Sequence, residues 1–179
     1  MKDSIKSIIV ISAICLVVAA ALGVTNYFTK DVIAEGTEMR TQEALKELIS
    51  EAESFEEISV ESYESLPDTV TAIYKGSDGT GYVFKIETKG YDNGLVIMCA
   101  VSLDGKVIKT TTLSNNETPT IGGNKVINNG SYVSEYIGKD ISSVTEVDGI
   151  SGATVTSNAY NGAIRDALSA FSAVAADQK

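Results

Sequence analysis

The stretch Asp148-Gly149-Ile150-Ser151-Gly152-Ala153-Thr154-Val155-Thr156-Ser157 joins a glycine-containing turn to the start of a helical pattern. Glycine lets the backbone pass close to a ligand, and a serine or threonine caps a helix start. A helix N-terminus offers free N–H groups and the positive end of the helix dipole. This stretch is therefore the place where the chain would most readily hold a phosphate. The alternative interpretation is an ordinary loop followed by a capped helix.

The residues that follow predict a helix that packs on a sheet. From Ser157 onward, apolar residues recur at spacings of three and four, as in an amphipathic helix: they are Tyr160, Ala163, Ile164, Ala167, Leu168, Phe171 and Val174. A helix with such a stripe needs an apolar surface to cover. The sequence upstream supplies that surface.

Four segments rich in β-forming residues predict an antiparallel meander, at residues 69–74, 81–88, 95–101 and 106–113. Turn signals separate them at Ser77-Asp78-Gly79, Asp92-Asn93-Gly94 and Asp104-Gly105. Residues 95–101 are apolar on both faces, which predicts a central, fully buried strand. The predicted fold class is therefore α+β, an antiparallel sheet with a packed C-terminal helix.

Three further predictions concern the segment between the meander and the opening stretch. Residues 114–130 are polar and contain glycines, so we expect a long irregular loop, which is where function tends to lie beside a sheet. Residues 131–137 are predicted to form a short helix. Residues 142–147 are predicted to form a last strand that leads into the opening stretch.

The N-terminus predicts a membrane anchor. Residues 7–29 carry no charge, and their apolar centre, residues 8–24, is long enough to cross a bilayer. Lys2 and Lys6 precede this segment and acidic residues follow it, so the N-terminus is predicted to be cytoplasmic and the remainder extracytoplasmic. This would be a single-pass protein of the cell membrane. The alternative is a cleaved signal peptide, because Ala19-Ala20-Ala21 resembles a cleavage region.

The predicted domain organisation has three parts. Residues 1–30 form the cytoplasmic N-terminus and transmembrane anchor, residues 31–67 a helical and acidic connector, and residues 68–179 the folded domain. Within the connector, residues 31–52 have a loose helical stripe, and the acidic residues of 51–67 favour a solvated face or linker.

Composition excludes several kinds of chemistry. The net charge of −10 argues against a nucleic-acid partner, and the absence of histidine excludes serine–histidine and cysteine–histidine catalysis as well as imidazole metal sites. Cys15 and Cys99 are too few for a thiolate metal cluster, and we expect both to be small buried hydrophobes. Asp148 and Glu117 could form a carboxylate pair, although their spacing does not require it. No catalytic residue and no metal ligand is therefore predicted.

Residues 148–154 resemble the Dxx(S/T)GA(T/S) flavinylation motif. That motif marks the covalent FMN-binding domain found in the G subunit of the Rnf electron-transport complex and in the C subunit of the sodium-translocating NADH:quinone reductase. Residues 116–122, NETPTIG, resemble the family's ETPGLG loop, with Thr120 and Ile121 in place of its Gly and Leu. The resemblance extends from the anchor to the last helix, and the chain length and single anchor are more similar to the Rnf protein.

The resemblance implies a cofactor and its site. Thr154 would carry FMN through a phosphoester bond that a separate flavin transferase installs, and Asp148 would help that transferase recognise the motif. Ser151, Gly152 and Ala153 belong to the same motif and would surround the cofactor. Glu117 and Thr118 are candidates for hydrogen bonds to the flavin, or alternatively for capping their own loop. We expect Thr156 and Ser157 to be caps rather than flavin ligands.

The implied function is that of a membrane-anchored flavoprotein subunit of an Rnf-type ion-translocating ferredoxin:NAD oxidoreductase. Such a translocase subunit relays electrons and does not turn over alone, and its partners would be the other membrane and iron–sulfur subunits. One alternative is a flavin carrier of another extracytoplasmic or quinone-linked electron-transfer chain. Another is an anchored binding module without redox function, in which the SGAT sequence only caps a helix.

Overall fold

The computed structural model describes residues 2–63 and 65–177, so Glu64 of the predicted acidic connector lies outside the described residues. The chain divides into two compact units after Thr41. Helix α1 begins at Lys2 and ends at Leu48, so its last turns belong to the second unit. The helix predicted at 31–52 is thus continuous with the apolar segment, and it ends four residues earlier than expected.

The first unit consists of α1 up to Thr41. In the described part of the chain, α1 is the one helix long and apolar enough to cross a membrane, judged by length and composition. Its large apolar side chains are exposed, among them Tyr27 and Phe28, whose rings pack edge to face 5.6 Å apart. Cys15 is also exposed, which corrects the expectation that it is buried: none of the described residues packs over this part of α1.

A five-stranded antiparallel sheet forms the centre of the second unit, in the order β1-β2-β3-β4-β5. The strands are β1 (Phe55–Ile58), β2 (Val70–Gly76), β3 (Tyr82–Thr88), β4 (Leu95–Val101) and β5 (Val107–Ser114). Strands β2 to β5 confirm the predicted meander. Strand β1 lies in the segment predicted as a linker; it pairs with β2 at the sheet edge, where the exposed Glu56 and Glu57 need no apolar neighbours.

Both faces of the sheet are covered, which explains the unbroken apolar sequence of β4. On one face, Leu95, Ile97 and Cys99 pack with the apolar stripe of helix α3 (Thr154–Asp177). On the other face, Met98 and Ala100 pack with the end of α1. The predictions of a buried central strand, a buried Cys99 and a sheet-packed C-terminal helix are confirmed.

The segment between β5 and α3 differs most from the predictions. Pro119–Ile127 form a π-helical segment instead of an irregular loop, with N–H groups bonded to carbonyls five residues earlier, as from Asn128 to Gly123 at 2.8 Å. Helix α2 (Gly130–Ser134) is shorter than the predicted helix.

The prediction of a strand at 142–147 was wrong. Residues Val144–Glu146 form a 3₁₀ turn, because the carboxylate of Asp140 accepts hydrogen bonds from the backbone and hydroxyls of Ser142 and Ser143. These bonds hold the pKa of Asp140 well below its ordinary value. The β propensity of the valines is overridden by this local turn.

Candidate functional site

A cavity of about 360 Å³ opens at the N-terminus of α3. Three parts of the chain meet there: the turn between β3 and β4, the loop that begins the π-helical segment, and the first turn of α3. The lining residues are Tyr91, Glu117, Thr118, Ile121, Gly122, Gly152, Ala153, Thr154, Val155 and Thr156. We call this space the α3 cavity. Its size lies within the range of small-molecule and cofactor sites.

The turn before α3 is fixed by local geometry. Gly152 has a φ of +77°, a conformation that residues with a side chain rarely adopt. The adjacent Ala153 is buried in the core, and its N–H donates to the carbonyl of Ile150 at 3.0 Å. The Ser157 hydroxyl accepts from the Ile150 N–H at 3.0 Å, so it closes the turn from the helix side. The turn thereby places Thr154 as the first residue of α3.

Three residues of this first turn carry hydroxyls, and their environments differ. The Thr156 hydroxyl donates to Oε2 of Glu117, and the Ser157 hydroxyl donates to the Thr154 carbonyl while it accepts from Ile150. The Thr154 side chain is exposed to the cavity, and within the described residues its hydroxyl has no hydrogen-bond partner. Thr154 is therefore the free hydroxyl of this turn.

Hydrogen-bond donors surround that hydroxyl. The first N–H groups of a helix have no intrahelical acceptor, and in the part of the chain described here no side chain caps those of Thr154, Val155 and Thr156. The ammonium of Lys125 adds a charge, since a Cβ placed on Gly152 would lie 3.2 Å from its Nζ. Lys125 forms no ion pair with the residues described. This end of the cavity suits an anion.

Glu117 forms the buried polar floor of the cavity. It is 5% exposed, and its carboxylate accepts from the Asp92 N–H at 3.2 Å and from the Thr156 hydroxyl. Two glycines let the backbone approach it, because a Cβ on Gly90 would overlap Oε1 and one on Gly122 would overlap Oε2. The carboxylate is therefore enclosed by backbone on two sides.

The rim of the cavity is apolar. Tyr91, Ile121 and Val155 are 72%, 43% and 55% exposed, although each has a large hydrophobic side chain. They come from three separate segments of the chain. An exposed apolar group beside buried polar atoms is typical of a site that receives an organic ligand.

Beneath the cavity, on the core side of α3, lies a cluster of three buried tyrosines, Tyr132, Tyr136 and Tyr160. The Tyr132 and Tyr136 hydroxyls share a hydrogen bond at 2.8 Å, and the Tyr160 hydroxyl bonds that of Thr110 at 2.8 Å. Their rings pack with centroids 5.5–6.3 Å apart. Burial raises the pKa of all three, that of Tyr160 to about 12 and that of Tyr136 further.

The structure brings together most of the residues singled out in the sequence. Glu117, Thr118, Gly152, Ala153 and Thr154 all line the α3 cavity. Ser151 and Asp148 are exposed and lie outside its lining. The hydrogen-bond partners of Glu117 are Asp92 and Thr156, so the suggested pair with Asp148 does not form. Ser157 caps the turn as expected, whereas Thr156 binds Glu117.

Two residues of the site, Tyr91 and Lys125, were not singled out in the sequence. Ile121, Gly122 and Val155 lie within the two stretches quoted above, but no individual role was predicted for them. Thr156 was expected to be a cap. The double glycine Gly122-Gly123 was a usable signal, because a glycine pair beside a proline loop permits a close backbone approach. Tyr91 had no comparable signal, since a tyrosine in a polar turn does not indicate which cavity it borders.

Comparisons with known proteins agree with this geometry. Residues 90–169 match the family described as FMN-binding domain, and this range contains every residue of the cavity lining. The chain is 26% identical to the G subunit of the proton-translocating ferredoxin:NAD(+) oxidoreductase complex of Clostridium ljungdahlii, over 86% of this chain and 84% of that one.

Two further relatives have similar names. The chain is 26% identical to the G subunit of the Na(+)-translocating ferredoxin:NAD(+) oxidoreductase complex of Acetobacterium woodii, over 91% of this chain and 89% of that protein. It is also 26% identical to the G subunit of the ion-translocating oxidoreductase complex of Methanosarcina acetivorans, over 96% of both.

Residues 90–169 of the folded unit therefore match an FMN-binding domain. The chain as a whole is similar to the G subunits of ion-translocating oxidoreductase complexes, which confirms the family resemblance found in the sequence.

Proposed function

We propose that this chain is the membrane-anchored flavoprotein subunit of an Rnf-type ion-translocating ferredoxin:NAD oxidoreductase. In this proposal it relays electrons through FMN that is bound covalently to Thr154. The relatives named above are subunits of complexes with this activity, which supports the proposal. The observation that carries it is the Thr154 hydroxyl, which has no partner among the described residues and lines the cavity of an FMN-binding domain.

The surroundings of Thr154 fit a phosphate ester. The free N–H groups of the first turn of α3 would donate to the phosphate oxygens, and the dipole of this 24-residue helix would add about 1 kcal/mol. Lys125 would supply the opposite charge in a protein whose net charge is −10. Gly152 and Ala153 leave room for the phosphate, because neither carries a side chain larger than a methyl group.

The remainder of the cavity fits a flat ring system. Tyr91, Ile121 and Val155 would cover the isoalloxazine, and Glu117 and Thr118 are the polar groups within reach of the ring or the ribityl chain. Bound FMN supplies the redox chemistry, while the protein sets its position and electrostatics. Because the bond to Thr154 is covalent, the flavin cannot diffuse away from an extracytoplasmic domain.

Helix α1 is proposed to be the anchor. Its apolar segment would span the membrane once, with Lys6 on the cytoplasmic side and the FMN-binding domain on the other. The partners would be the other membrane and iron–sulfur subunits, together with a flavin transferase for which the exposed Asp148 is a recognition residue. Labelling of the folded domain by an impermeant reagent only after the cell membrane is opened would contradict this orientation.

Covalent attachment is tested by expressing the full chain together with a flavin transferase. The denatured protein is run on a gel under ultraviolet light, which detects flavin that remains bound after unfolding. We expect a fluorescent band from the wild type and none from Thr154→Val. Thr145→Val is the matched control, because Thr145 is an exposed threonine outside the α3 cavity and its loss should leave the band unchanged.

The same experiment separates the alternatives. An unlabelled wild type, in cells where the transferase flavinylates a known substrate, would favour a binding module without redox function. A labelled wild type that does not copurify with Rnf-type membrane subunits would favour a flavin carrier of another electron-transfer chain.

A further inference from the structure

Glu117 is a buried carboxylate without a cation. It accepts two hydrogen bonds, from the Asp92 N–H and the Thr156 hydroxyl. None of the ion pairs among the described residues involves it, and it is 5% exposed. An ionised carboxylate can accept about four hydrogen bonds, so this one is only partly satisfied. When ionised, this carboxylate is therefore a negative charge in the floor of the α3 cavity that no cation of the described residues compensates.

The structural role of this side chain does not require a charge. A glutamine has the same shape: its carbonyl oxygen could accept from the Asp92 N–H, and its NH2 group could donate to the Thr156 hydroxyl, which accepts as well as donates. Burying a charge without a cation reduces stability relative to a neutral group that makes the same contacts. Residues that break such a rule concentrate at functional sites. The charge of Glu117, rather than its shape alone, is thus the feature that needs a function.

The surrounding backbone fixes where that charge lies. Gly90 and Gly122 approach the carboxylate so closely that a Cβ on either would overlap its oxygens. Thr156 holds the same carboxylate from the first turn of α3, two residues after Thr154. The carboxylate consequently cannot swing out to water, where screening would weaken its field.

We propose that the charge of Glu117 lowers the midpoint potential of the flavin in the α3 cavity. This inference rests on the proposed function, because it requires FMN on Thr154, which lines the same cavity. An electron delivered by a redox partner adds negative charge to the cavity unless a proton accompanies it. The carboxylate repels that charge across a poorly screened space, so it disfavours the reduced state. Glu117 acts here through its field and not as a proton donor.

The test is a spectroelectrochemical titration of the full, flavinylated chain in detergent. Glu117→Gln removes the charge and keeps the shape, and we expect its midpoint potential to be more positive than that of the wild type. Glu57→Gln is the matched control. It makes the same change of charge on the exposed edge strand β1, outside the cavity lining, and should leave the potential unchanged. Equal potentials for Glu117→Gln and the wild type would overturn the proposal.

A second variant distinguishes charge from packing. Thr156→Val removes the hydrogen bond to Glu117 and leaves the carboxylate in place, so the charge is less compensated and the potential should become more negative than the wild-type value. If Glu117→Gln gives too little loaded protein to titrate, this variant decides the question, and an unchanged potential would overturn the proposal. A more positive potential in Thr156→Val would show that disturbed packing, not lost charge, moves the potential.

Failure of this inference can be told apart from failure of the proposed function. A wild-type chain without covalent flavin refutes the proposed function before any potential is measured. A loaded wild type whose potential does not respond to Glu117→Gln refutes the electrostatic role alone.

Discussion

The core side and the cavity side of the first turns of α3 differ in whether their polar side chains have hydrogen-bond or ion-pair partners. On the core side, the hydroxyls of Tyr132, Tyr136 and Tyr160 all have partners at hydrogen-bond distance and are buried. On the cavity side, the Thr154 hydroxyl is exposed and has no partner among the described residues, and Lys125 has no ion pair there. The tyrosine hydroxyls that support the fold therefore all have partners, whereas Thr154 and Lys125 at the cavity have none among the described residues.

The largest expected difference is in the free energy of unfolding, between one substitution on the core side of α3 and one on the cavity side. Tyr136→Ala should lower the free energy of unfolding by about 3–5 kcal/mol, because it leaves a cavity in the core and removes the partner of Tyr132. Thr154→Val should change that free energy by less than about 0.5 kcal/mol, as expected for an exposed site. Urea denaturation of the full chain in detergent measures both.

The effects on flavin content should be the reverse of those on stability: Thr154→Val should lose the flavin and Tyr136→Ala should keep it. The folded fraction of Tyr136→Ala should still be labelled by the transferase, and Thr154→Val should carry no label. Flavin label on Thr154→Val would contradict the assignment of the cavity side to flavin binding. A Tyr136→Ala protein with wild-type stability would contradict the assignment of the core side to the fold.

Alkaline pH should lower the free energy of unfolding through the buried tyrosine Tyr160 on the core side of α3. The folded-state pKa of Tyr160 is about 12, above the ordinary value near 10. The stabilisation from this group is therefore complete below about pH 10 and is lost as the pH rises through about 12, an effect on the order of 2–3 kcal/mol. Unfolding free energies measured across this pH range should fall in the wild type and fall less in Tyr160→Phe. Equal slopes would show that Tyr160 is not the group responsible.

Removing only the Tyr160 hydroxyl at neutral pH should have a smaller effect. Tyr160→Phe leaves the hydroxyl of Thr110 without its partner, at a cost of about 1–2 kcal/mol. The double variant Tyr160→Phe with Thr110→Val removes both partners and should recover part of this loss. Denaturation midpoints of the double variant and the two single variants test the point. A double variant that is no more stable than Tyr160→Phe alone would contradict it.

The smallest predicted effect concerns Lys125. Lys125→Gln should slow the covalent attachment of flavin about two- to five-fold, which corresponds to the roughly 0.3–1 kcal/mol expected of an exposed charge near an anion. Lys106→Gln, in the turn between β4 and β5, is the control and should be flavinylated at the wild-type rate. A time course of in-gel fluorescence gives both rates. Equal rates for Lys125→Gln and the wild type would remove Lys125 from the anion site.

The elements predicted correctly are those whose signals are local. The unbroken apolar sequence of β4 and the three-and-four spacing in α3 follow from burial on two faces and on one stripe. The edge strand β1 was missed because a strand that pairs on one side only can be largely charged, as Glu56 and Glu57 are. A pattern of burial cannot reveal a strand that is hardly buried.

The candidate site also has a part that could be predicted from the sequence and a part that could not. The position of Thr154 at a helix start followed from the glycine turn and the helical pattern, and its link to FMN came from a family resemblance. The closeness of Gly90 to Glu117, and of Lys125 to Gly152, depends on segments about 30 residues apart in the chain and on the π-helical segment between β5 and α2. Tertiary packing alone sets these distances, so no local pattern predicts them.

The central claim is that the free hydroxyl at the start of α3 is the attachment point of FMN. Tandem mass spectrometry of the tryptic peptide covering residues 140–165, from full chain expressed with a flavin transferase, tests it most directly. We predict the FMN mass on Thr154, with Ser151, Thr156 and Ser157 unmodified. Flavin on one of those three residues, or an unmodified peptide from protein that shows flavin fluorescence, would contradict the account.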